Sequence, residues 1–187
     1  IIAGGYTGSY LSATESYNGS SWTTLPVSLP GNQSAGAGCG TQTSGITFGG
    51  EVAPKAQTNE WNGSSWSTGE AYPTTCYAGQ GAGTLTAGLM AGGNQSGANY
   101  LNTSNTYDGT DYSSAPNINN ARNGCASSIG TATAALIHGG YTNTNPLAGQ
   151  VHTEEYNGSS WSEQNNLSTG RAHGGSGGTQ TACIYFC

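Results

Sequence analysis

The sequence predicts an all-β chain built from a repeated unit of four short antiparallel strands. One pattern, an aromatic residue followed by Asn-Gly-Ser-Ser and a second aromatic residue, returns at intervals of roughly 45 residues, as in repeat architectures. A short apolar run closed by two glycines returns with the same period. Only 6% of the residues are charged, against about 25% in ordinary domains. Such a composition is typical of disorder, but the regular aromatic residues and apolar runs predict ordered, turn-rich β-structure.

The whole chain, residues 1–187, is predicted to be one repeat array. Its units span approximately 1–45, 46–88, 89–135 and 136–183, and residues 184–187 begin a further unit. The runs Ile1 to Gly4 and Ile184 to Cys187 hold the same place in the repeat, so this strand occurs once more often than the others. We therefore expect part of a larger ring, or an array completed by neighbouring chains. A closed ring of four units is the alternative.

The first strand of each unit is predicted where small residues precede a Gly-Thr-x-Thr turn, as in Gly36-Ala37-Gly38-Cys39. Small side chains suit strands that converge on the axis of a radial assembly. The second strand is the apolar run that follows the turn. It ends at the paired glycines Gly4 and Gly5, Gly49 and Gly50, Gly92 and Gly93, and Gly139 and Gly140. Glycine is expected there because a side chain would collide with the neighbouring sheet.

The third and fourth strands are predicted to form a hairpin between two aromatic residues. The aromatic pairs are Tyr17 and Trp22, Trp61 and Trp66, Tyr107 and Tyr112, and Tyr156 and Trp161. The Asn-Gly between the members of a pair predicts a tight turn in which these residues supply positive φ angles. The paired rings are expected to fill the space between sheets, each contributing about 1.5–3 kcal/mol through burial.

The composition argues against two classes of partner. The net charge is −6 and the only cations are Lys55, Arg122 and Arg171, so the chain has too few positive charges to neutralise a run of phosphates. Nucleic-acid binding is therefore not expected. The same count excludes a polybasic membrane anchor, and no apolar run approaches the roughly 20 residues of a membrane-spanning helix. We expect no membrane insertion.

The order of these features resembles the kelch repeat, with its apolar run, double glycine, two aromatic residues at fixed spacing and a polar or Arg residue before the next unit. The Arg-x-His element of that pattern occurs as Arg171-Ala172-His173, and Arg122 stands alone in the third unit. The resemblance covers the whole chain. It implies an all-β, kelch-like β-propeller with one four-stranded antiparallel blade per unit, about four blades in this chain. The repeats resemble most closely the kelch-like repeat proteins of bacteriophages and marine microbes.

The two short turns of each unit are expected on one face and the connections of variable sequence on the other. Variable loops on a rigid scaffold are a common way to build a binding surface. Candidate contact residues in or near these loops are Tyr6, Tyr10, Glu51, Lys55, Tyr100, Arg122, Tyr141 and Arg171. The tyrosines, all expected to be exposed, could stack on sugar rings or anchor a protein partner. The alternative interpretation is that they cover the edges of blades.

No catalytic residue, cofactor or metal is predicted. His138, His152 and His173 fall on different strands or loops of the last unit, so they are not expected to converge. The five cysteines lack CxxC spacing, which argues against a zinc site. Cys39 and Cys125 lie among small residues and are expected to act as apolar fillers. A copper enzyme of the galactose-oxidase kind would need a Cys-modified Tyr beside two His residues, and no local pattern provides that arrangement.

The leading functional hypothesis is a non-catalytic structural or recognition module of a virion, such as a fibre, decoration or host-binding protein. Its variable face would contact protein subunits of a larger assembly or a surface glycan, and an oligomer is expected. The alternative is a secreted or cell-surface glycan-binding propeller, followed by a galactose-oxidase-like copper enzyme. The predicted location is therefore the virion or the cell exterior. Glu15, Glu60 and Glu154 recur at strand positions and are interpreted as structural residues.

Overall fold

The computed structural model describes residues 1–97, 99–125, 129–144 and 148–186, and within these ranges it contains strands and turns but no helix. The prediction of an all-β chain is confirmed. The strands are β1 (Ile2–Ala3), β2 (Thr14–Tyr17), β3 (Trp22–Thr24), β4 (Ala37–Gly40), β5 (Gly45–Phe48), β6 (Thr58–Trp61), β7 (Trp66–Thr68), β8 (Gln80–Thr84), β9 (Ala87–Ala91), β10 (Ser104–Tyr107), β11 (Tyr112–Ala115), β12 (Arg122–Asn123), β13 (Ile129–Thr131), β14 (Ala134–His138), β15 (Tyr141–Thr142), β16 (Thr153–Tyr156), β17 (Trp161–Glu163), β18 (Gly175–Thr179) and β19 (Ala182–Phe186).

Three antiparallel sheets have four strands each, in the orders β4-β5-β6-β7, β8-β9-β10-β11 and β13-β14-β16-β17. A three-stranded sheet, β1-β2-β3, comes before them in the chain, and a two-stranded sheet, β18-β19, comes after them. The pair β12-β15 lies in the connections around the last four-stranded sheet. Each four-stranded sheet therefore takes its first strand from the end of one sequence repeat and its other three strands from the next.

The first strands of successive sheets, β4, β8, β13 and β18, lie side by side. Their backbones approach directly, since a Cβ atom on Gly81 would lie 2.8 Å from the carbonyl oxygen of Gly38. A side chain on Gly81 would push the two strands apart. This close approach explains why each of the first strands contains glycine.

A series of backbone hydrogen bonds connects the segments that enter these first strands. The N–H of Ala78 donates to the carbonyl of Ala35 at 2.7 Å, and the N–H of Gly124 donates to that of Ala78 at 3.2 Å. The N–H of His173 then donates to the carbonyl of Gly124 at 2.8 Å. All four residues have positive φ, between 52° and 58°. The same left-handed backbone position thus joins one sheet to the next.

The paired glycines make room for a backbone carbonyl from the segment that leads into the next sheet. The second glycine of each pair donates its N–H to that carbonyl, as from Gly50 to Cys76 and from Gly93 to Arg122, at 2.8 and 2.9 Å. A Cβ on the first glycine would meet the same oxygen, at 2.5 Å for Gly49 and 2.7 Å for Gly92. The predicted steric clash is confirmed, and the atom that a side chain would meet is a backbone carbonyl oxygen.

The aromatic pairs contact each other across their hairpins, with ring centroids 4.5–5.2 Å apart. Two apolar clusters occupy the spaces between the four-stranded sheets. The first contains Ile46, Phe48, Tyr72, Cys76, Met90 and Tyr107, and the second contains Ala82, Leu89, Ala91, Ile118, Cys125, Ala135, Ile137, Tyr156 and Trp161. Tyr17 and Trp22 of the first sheet differ, because they are 42% and 52% exposed.

The aromatic hairpins differ from the prediction in how they turn. Trp61 and Trp66 pair directly across the two strands, so the loop has four residues instead of two. Gly63 has a φ of 95°, but Asn62 does not have positive φ. Its side-chain Oδ1 instead accepts the N–H groups of Ser64 and Ser65, both at 2.9 Å. The prediction of positive φ for Asn is wrong, because this side-chain turn satisfies the loop N–H groups without it.

Candidate functional site

The Gly-Thr-x-Thr and aromatic hairpin turns lie on one side of the sheets, which we call the constant face. The indole N–H of Trp61 donates to the carbonyl of Gln42 in the neighbouring turn at 2.9 Å. The amide of Gln42 donates in turn to the carbonyl of Tyr17 in the preceding sheet, also at 2.9 Å. The prediction that both turns share a face is confirmed. Hydrogen-bonding groups of these turns are therefore engaged with neighbouring turns and strands.

The opposite side, which we call the variable face, carries the loops 6–13, 51–57, 94–103 and 141–152, of which 98 and 145–147 lie outside the described residues. The first, third and fourth loops are fastened at their bases by equivalent backbone hydrogen bonds. Leu11 donates its N–H to Gly5, and Leu101 donates to Gly93, at 3.0 and 2.8 Å. The segment that leads into the next sheet is attached to the loop as well, as where Gln33 donates to Leu11 at 2.9 Å. Loops that differ in sequence therefore start from one rigid base.

Tyr6 and Tyr10 are the most exposed of the candidate tyrosines, at 61% and 42%. Their ring centroids are 5.2 Å apart with the planes inclined by 53°. The two residues also form a β-bridge, so the backbone holds the rings together. This pair offers a preorganised aromatic surface at the tip of the first loop.

The prediction that Tyr100 is exposed is wrong, because only 9% of this residue is accessible. Its backbone N–H donates to Asn143 Oδ1 at 3.0 Å, which joins the third loop to the fourth. Tyr141 is partly buried, and its ring packs edge-on against His173 with 5.2 Å between centroids. These two tyrosines support the loops more than they offer free ring faces.

Lys55 and Glu51 are partly buried in the second loop. The Nζ atom of Lys55 lies 5.7 Å from the ring centroid of Tyr77, within the range of a cation–π contact. The backbone N–H of Glu51 donates to the carbonyl of Ser34 at 2.9 Å. The Lys55 ammonium and the Tyr77 ring therefore form a small amphipathic patch beside Asn94 of the third loop, which is bonded to Tyr77.

Arg122 is fully buried and forms an ion pair with Glu154, which is also fully buried. Its guanidinium also donates to the carbonyls of His152 and Gly139, at 3.0 and 3.3 Å. This burial corrects the prediction that Arg122 lies on a contact surface. The cause is that Glu154, on a neighbouring strand, supplies the opposite charge that a buried guanidinium requires. Arg171, in contrast, is exposed and lies 5.8 Å from the ring centroid of Tyr185.

The ionisable groups inside the sheets have environments typical of structural residues. Burial raises the pKa of the Cys39, Cys76 and Cys125 thiols to about 12, which leaves almost no nucleophilic thiolate at neutral pH. The Tyr107 hydroxyl donates to Glu60, and burial followed by that carboxylate raises the pKa of the tyrosine. His138 is buried in β14, where loss of hydration lowers its pKa. In the described part of the chain, no three His, Cys, Asp or Glu residues are grouped as metal ligands.

A groove of about 600 Å³ lies between the first two sheets, beside the edge of β1 that pairs with no described strand. Its walls include Ile2 on one side, Gly36 and Gly38 on the other, and Trp66. No sequence signal pointed to this groove, because it depends on how the first sheet is placed against the second. The Arg122–Glu154 pair did leave a signal, since Arg122 and Arg171 hold one repeat position and Glu15 and Glu154 hold another.

No protein-family model matches the sequence, and no curated protein matches it. Among solved structures, one described as "Structure of YjhT" superposes with a TM-score of 0.69 at 10% sequence identity. The superposition covers 88% of this chain and 64% of that chain, so the present chain spans slightly less than two thirds of that structure. This likeness concerns the fold alone. No helix in the described ranges is long and apolar enough to cross a membrane.

Proposed function

We propose that the sheets are blades of a kelch-like β-propeller and that the chain is a non-catalytic recognition module. The four-strand order of the sheets, the side-by-side first strands and the double glycines support the propeller assignment. The turns of the constant face are hydrogen-bonded to neighbouring turns and strands. The variable face is therefore the side on which sequence differences can alter binding.

The observation that carries the recognition role is the Tyr6–Tyr10 pair. Two phenol rings at the tip of an anchored loop can stack on the apolar face of a sugar or insert into a pocket of a protein partner. Because the β-bridge and the loop-base hydrogen bonds already order this loop, binding would cost little further conformational entropy. The Lys55–Tyr77 patch adds one positive charge elsewhere on the variable face, which suits an acidic sugar or a carboxylate.

The assignment as a non-catalytic module rests on the finding that the potentially reactive side chains are engaged in internal contacts or held neutral. Glu154 is paired with Arg122, and Glu60 accepts the hydroxyl of Tyr107. The buried Cys76 and Cys125 thiols and the partly buried Cys39 thiol are held neutral by their raised pKa. No described cluster joins a nucleophile to a base, so nothing in the geometry favours an enzyme over a binding module.

The setting that fits best is the outside of a virion, with the cell surface as the alternative. A surface rich in Gly, Ser, Thr and Asn and poor in charge suits a chain that is packed among many subunits and presents its loops outwards. A hydroxyl-rich scaffold with few charged residues also leaves specificity to the few aromatic and charged loop residues.

An array of bacterial surface polysaccharides and host glycans, probed with the purified chain, tests the proposal. We expect selective binding that is lost in the double variant Tyr6→Ala/Tyr10→Ala. Tyr17→Ala is the matched control, because Tyr17 is as exposed as Tyr10 but lies on a hairpin strand away from the variable loops. If Tyr6→Ala/Tyr10→Ala binds as the wild type does, the recognition role of this pair is wrong. Proteomics of purified virions separately tests the proposed location.

A further inference from the structure

His138, the last residue of β14, is an ionisable residue at a repeat position that is apolar in other sheets. Two other second strands end at the same position, at Phe48 and at Ala91, each directly before its double glycine. Phe48 belongs to the first apolar cluster and Ala91 to the second. The repeat therefore places His138 where a side chain packs in the space between two sheets.

The His138 side chain is buried without a hydrogen bond. Only 2% of the residue is exposed, and neither ring nitrogen has a hydrogen-bond partner among the described residues. The ring packs edge-on against Tyr185 of β19, with 4.9 Å between centroids. The imidazole thus takes the place of an apolar ring. It can do so only while it is neutral, because burial of a charge without a partner is strongly unfavourable.

The charges closest in the fold disfavour a positive charge on His138. The guanidinium of Arg122 donates to the carbonyl of Gly139, the next residue along the chain, at 3.3 Å. Its counter-ion Glu154 is already bound to it. In the described part of the chain, no carboxylate forms an ion pair with the His138 ring. Loss of hydration, followed by the charge of Arg122, lowers the pKa of His138.

The other ionisable groups around this interface do not supply a counter-charge to the ring. Glu155 of β16 lies on the same face of the sheet but opposite Leu136, two residues from His138. The Cys125 thiol bonds the carbonyl that follows His138, and burial raises the pKa of this thiol to about 12. Arg171 lies over the tyrosine ring that covers His138, 5.8 Å from its centroid, and is again a cation.

We propose that His138 is an acid-sensitive switch: when its ring takes up a proton, β18 and β19 separate from the sheet β13-β14-β16-β17. The closed interface offers the charged ring neither water nor a carboxylate. Separation on the side of β19 hydrates the ring without breaking the buried pair of Arg122 and Glu154 on the other side. A local opening of this kind needs less free energy than unfolding of the whole chain.

The direction of the pH effect follows from these contacts. In the open arrangement the ring is hydrated and has the ordinary imidazole pKa of about 6.5, whereas in the closed arrangement the pKa of His138 is lower. Above about pH 6.5 the ring is neutral in both arrangements, so closure is fully favoured. Below that pH the open arrangement takes up the proton first. Its population then rises by up to about tenfold per pH unit until the closed arrangement is protonated too.

His173 connects this interface to the variable face. Its N–H donates to the carbonyl of Gly124 at 2.8 Å, which joins the segments that enter β13 and β18. Its ring packs against Tyr141 of the fourth variable loop. Separation of β18 moves this segment and so disturbs the support of the loop. The effect on ligand binding rests on the proposed function, whereas the opening itself does not.

Hydrogen–deuterium exchange of the full chain, measured by mass spectrometry at about pH 7.5, 6.5 and 5.5, tests the switch. The measured rates are corrected for the pH dependence of exchange in an unstructured chain. We expect the protection of residues 173–186 to change little between pH 7.5 and 6.5. It should then fall by up to about tenfold between pH 6.5 and 5.5. The protection of β5, β6, β9 and β10 should stay nearly constant over the whole range.

His138→Phe is the test variant, since phenylalanine cannot be protonated and occupies the equivalent position as Phe48. The protection of residues 173–186 should then no longer depend on pH. His173→Asn is the matched control, because it removes an exposed histidine of the same interface and asparagine tolerates the φ of 58° at this position. The pH dependence should persist in His173→Asn.

Three outcomes of the exchange experiment would overturn the proposal. They are constant protection of residues 173–186 down to pH 5.5, equal loss of protection in all sheets, and a pH dependence in His138→Phe that matches the wild type. If His138→Phe does not fold, NMR titration of the wild-type ring replaces it, and a pKa at or above about 6.5 for His138 contradicts the switch. Glycan binding is measured at pH 7.5, so a failure of the proposed function and a failure of the switch can be told apart.

Discussion

The indole N–H of Trp66 in β7 donates to Thr14 Oγ1 in the preceding sheet at 2.9 Å. The hydroxyl of Tyr112 bonds Thr58 Oγ1 at the same distance one sheet further on. In the next sheet the equivalent residues are Trp161 and Ser104, whose polar side-chain atoms have no hydrogen-bond partner among the described residues. This polar contact in an apolar interface thus links the first sheet to the second and the second to the third. The equivalent contact between the third sheet and the fourth is not formed.

Thr58→Val is expected to lower the free energy of unfolding by about 1–3 kcal/mol, because it leaves the Tyr112 hydroxyl without its partner. Tyr112→Phe should cost a similar amount. The double variant should cost clearly less than the sum, since neither group is then left unsatisfied. Urea denaturation followed by tryptophan fluorescence measures all three. Strictly additive effects would show that the two hydroxyls do not act together.

Gly92→Ala is expected to be far more destabilising than Gly97→Ala. Both glycines have similar positive φ, 65° and 58°, so the backbone penalty is nearly the same, about 1–2 kcal/mol. A Cβ on Gly92 would also lie 2.7 Å from the carbonyl oxygen of Arg122, whereas nothing lies within 4 Å of one on Gly97. We expect a further loss of about 1–3 kcal/mol at Gly92. Equal thermal unfolding temperatures for the two variants would contradict this explanation of the double glycines.

Glu154→Gln is expected to destabilise the chain by about 3–5 kcal/mol, because it leaves the buried Arg122 guanidinium without a counter-charge. Replacing both residues by Met should recover much of this loss. The control is Glu163→Gln, an exposed residue that accepts a hydrogen bond from Asn120 at 2.8 Å and should change stability by less than about 0.5 kcal/mol. Chemical denaturation checks each value, and a mild effect of Glu154→Gln would argue against a structural ion pair.

Iodoacetamide at pH 8 is expected to modify Cys183 of the folded chain well before Cys39, Cys76 or Cys125. Cys183 is exposed, whereas burial raises the pKa of the other three thiols to about 12 and so suppresses their thiolate forms. Peptide mass spectrometry identifies the modified sites, and denatured protein supplies the reference in which all react. Rapid modification of Cys125 in the folded state would indicate that the second apolar cluster opens.

The order of the strands could be predicted from the sequence because each signal is local and recurs in every repeat. The aromatic pairs, the double glycines and the Gly-Thr-x-Thr turns all lie where the repeat predicts them. Asn62 shows the limit of such reasoning, since its role depends on whether its backbone or its side chain makes the turn. Ala35 and Ala78 gave no signal at all, because alanine does not favour the left-handed backbone that the contacts between sheets impose on them.

The candidate site was less predictable. Tyr6 and Tyr10 are exposed as expected, because they lie at a loop tip. Tyr100 and Arg122 were assigned to the surface from their place in the repeat, yet Asn143 and Glu154 from other segments bring them inside.

The sequence alone therefore determined the β class, the repeat and the position of each turn, because these follow from short-range steric and hydrogen-bonding preferences. Only the tertiary structure decided which polar residues meet across the sheets. A charge is stable in the interior only where a partner from a distant segment lies against it. Arg and Glu recur at fixed repeat positions, but only the tertiary structure shows that Arg122 meets Glu154.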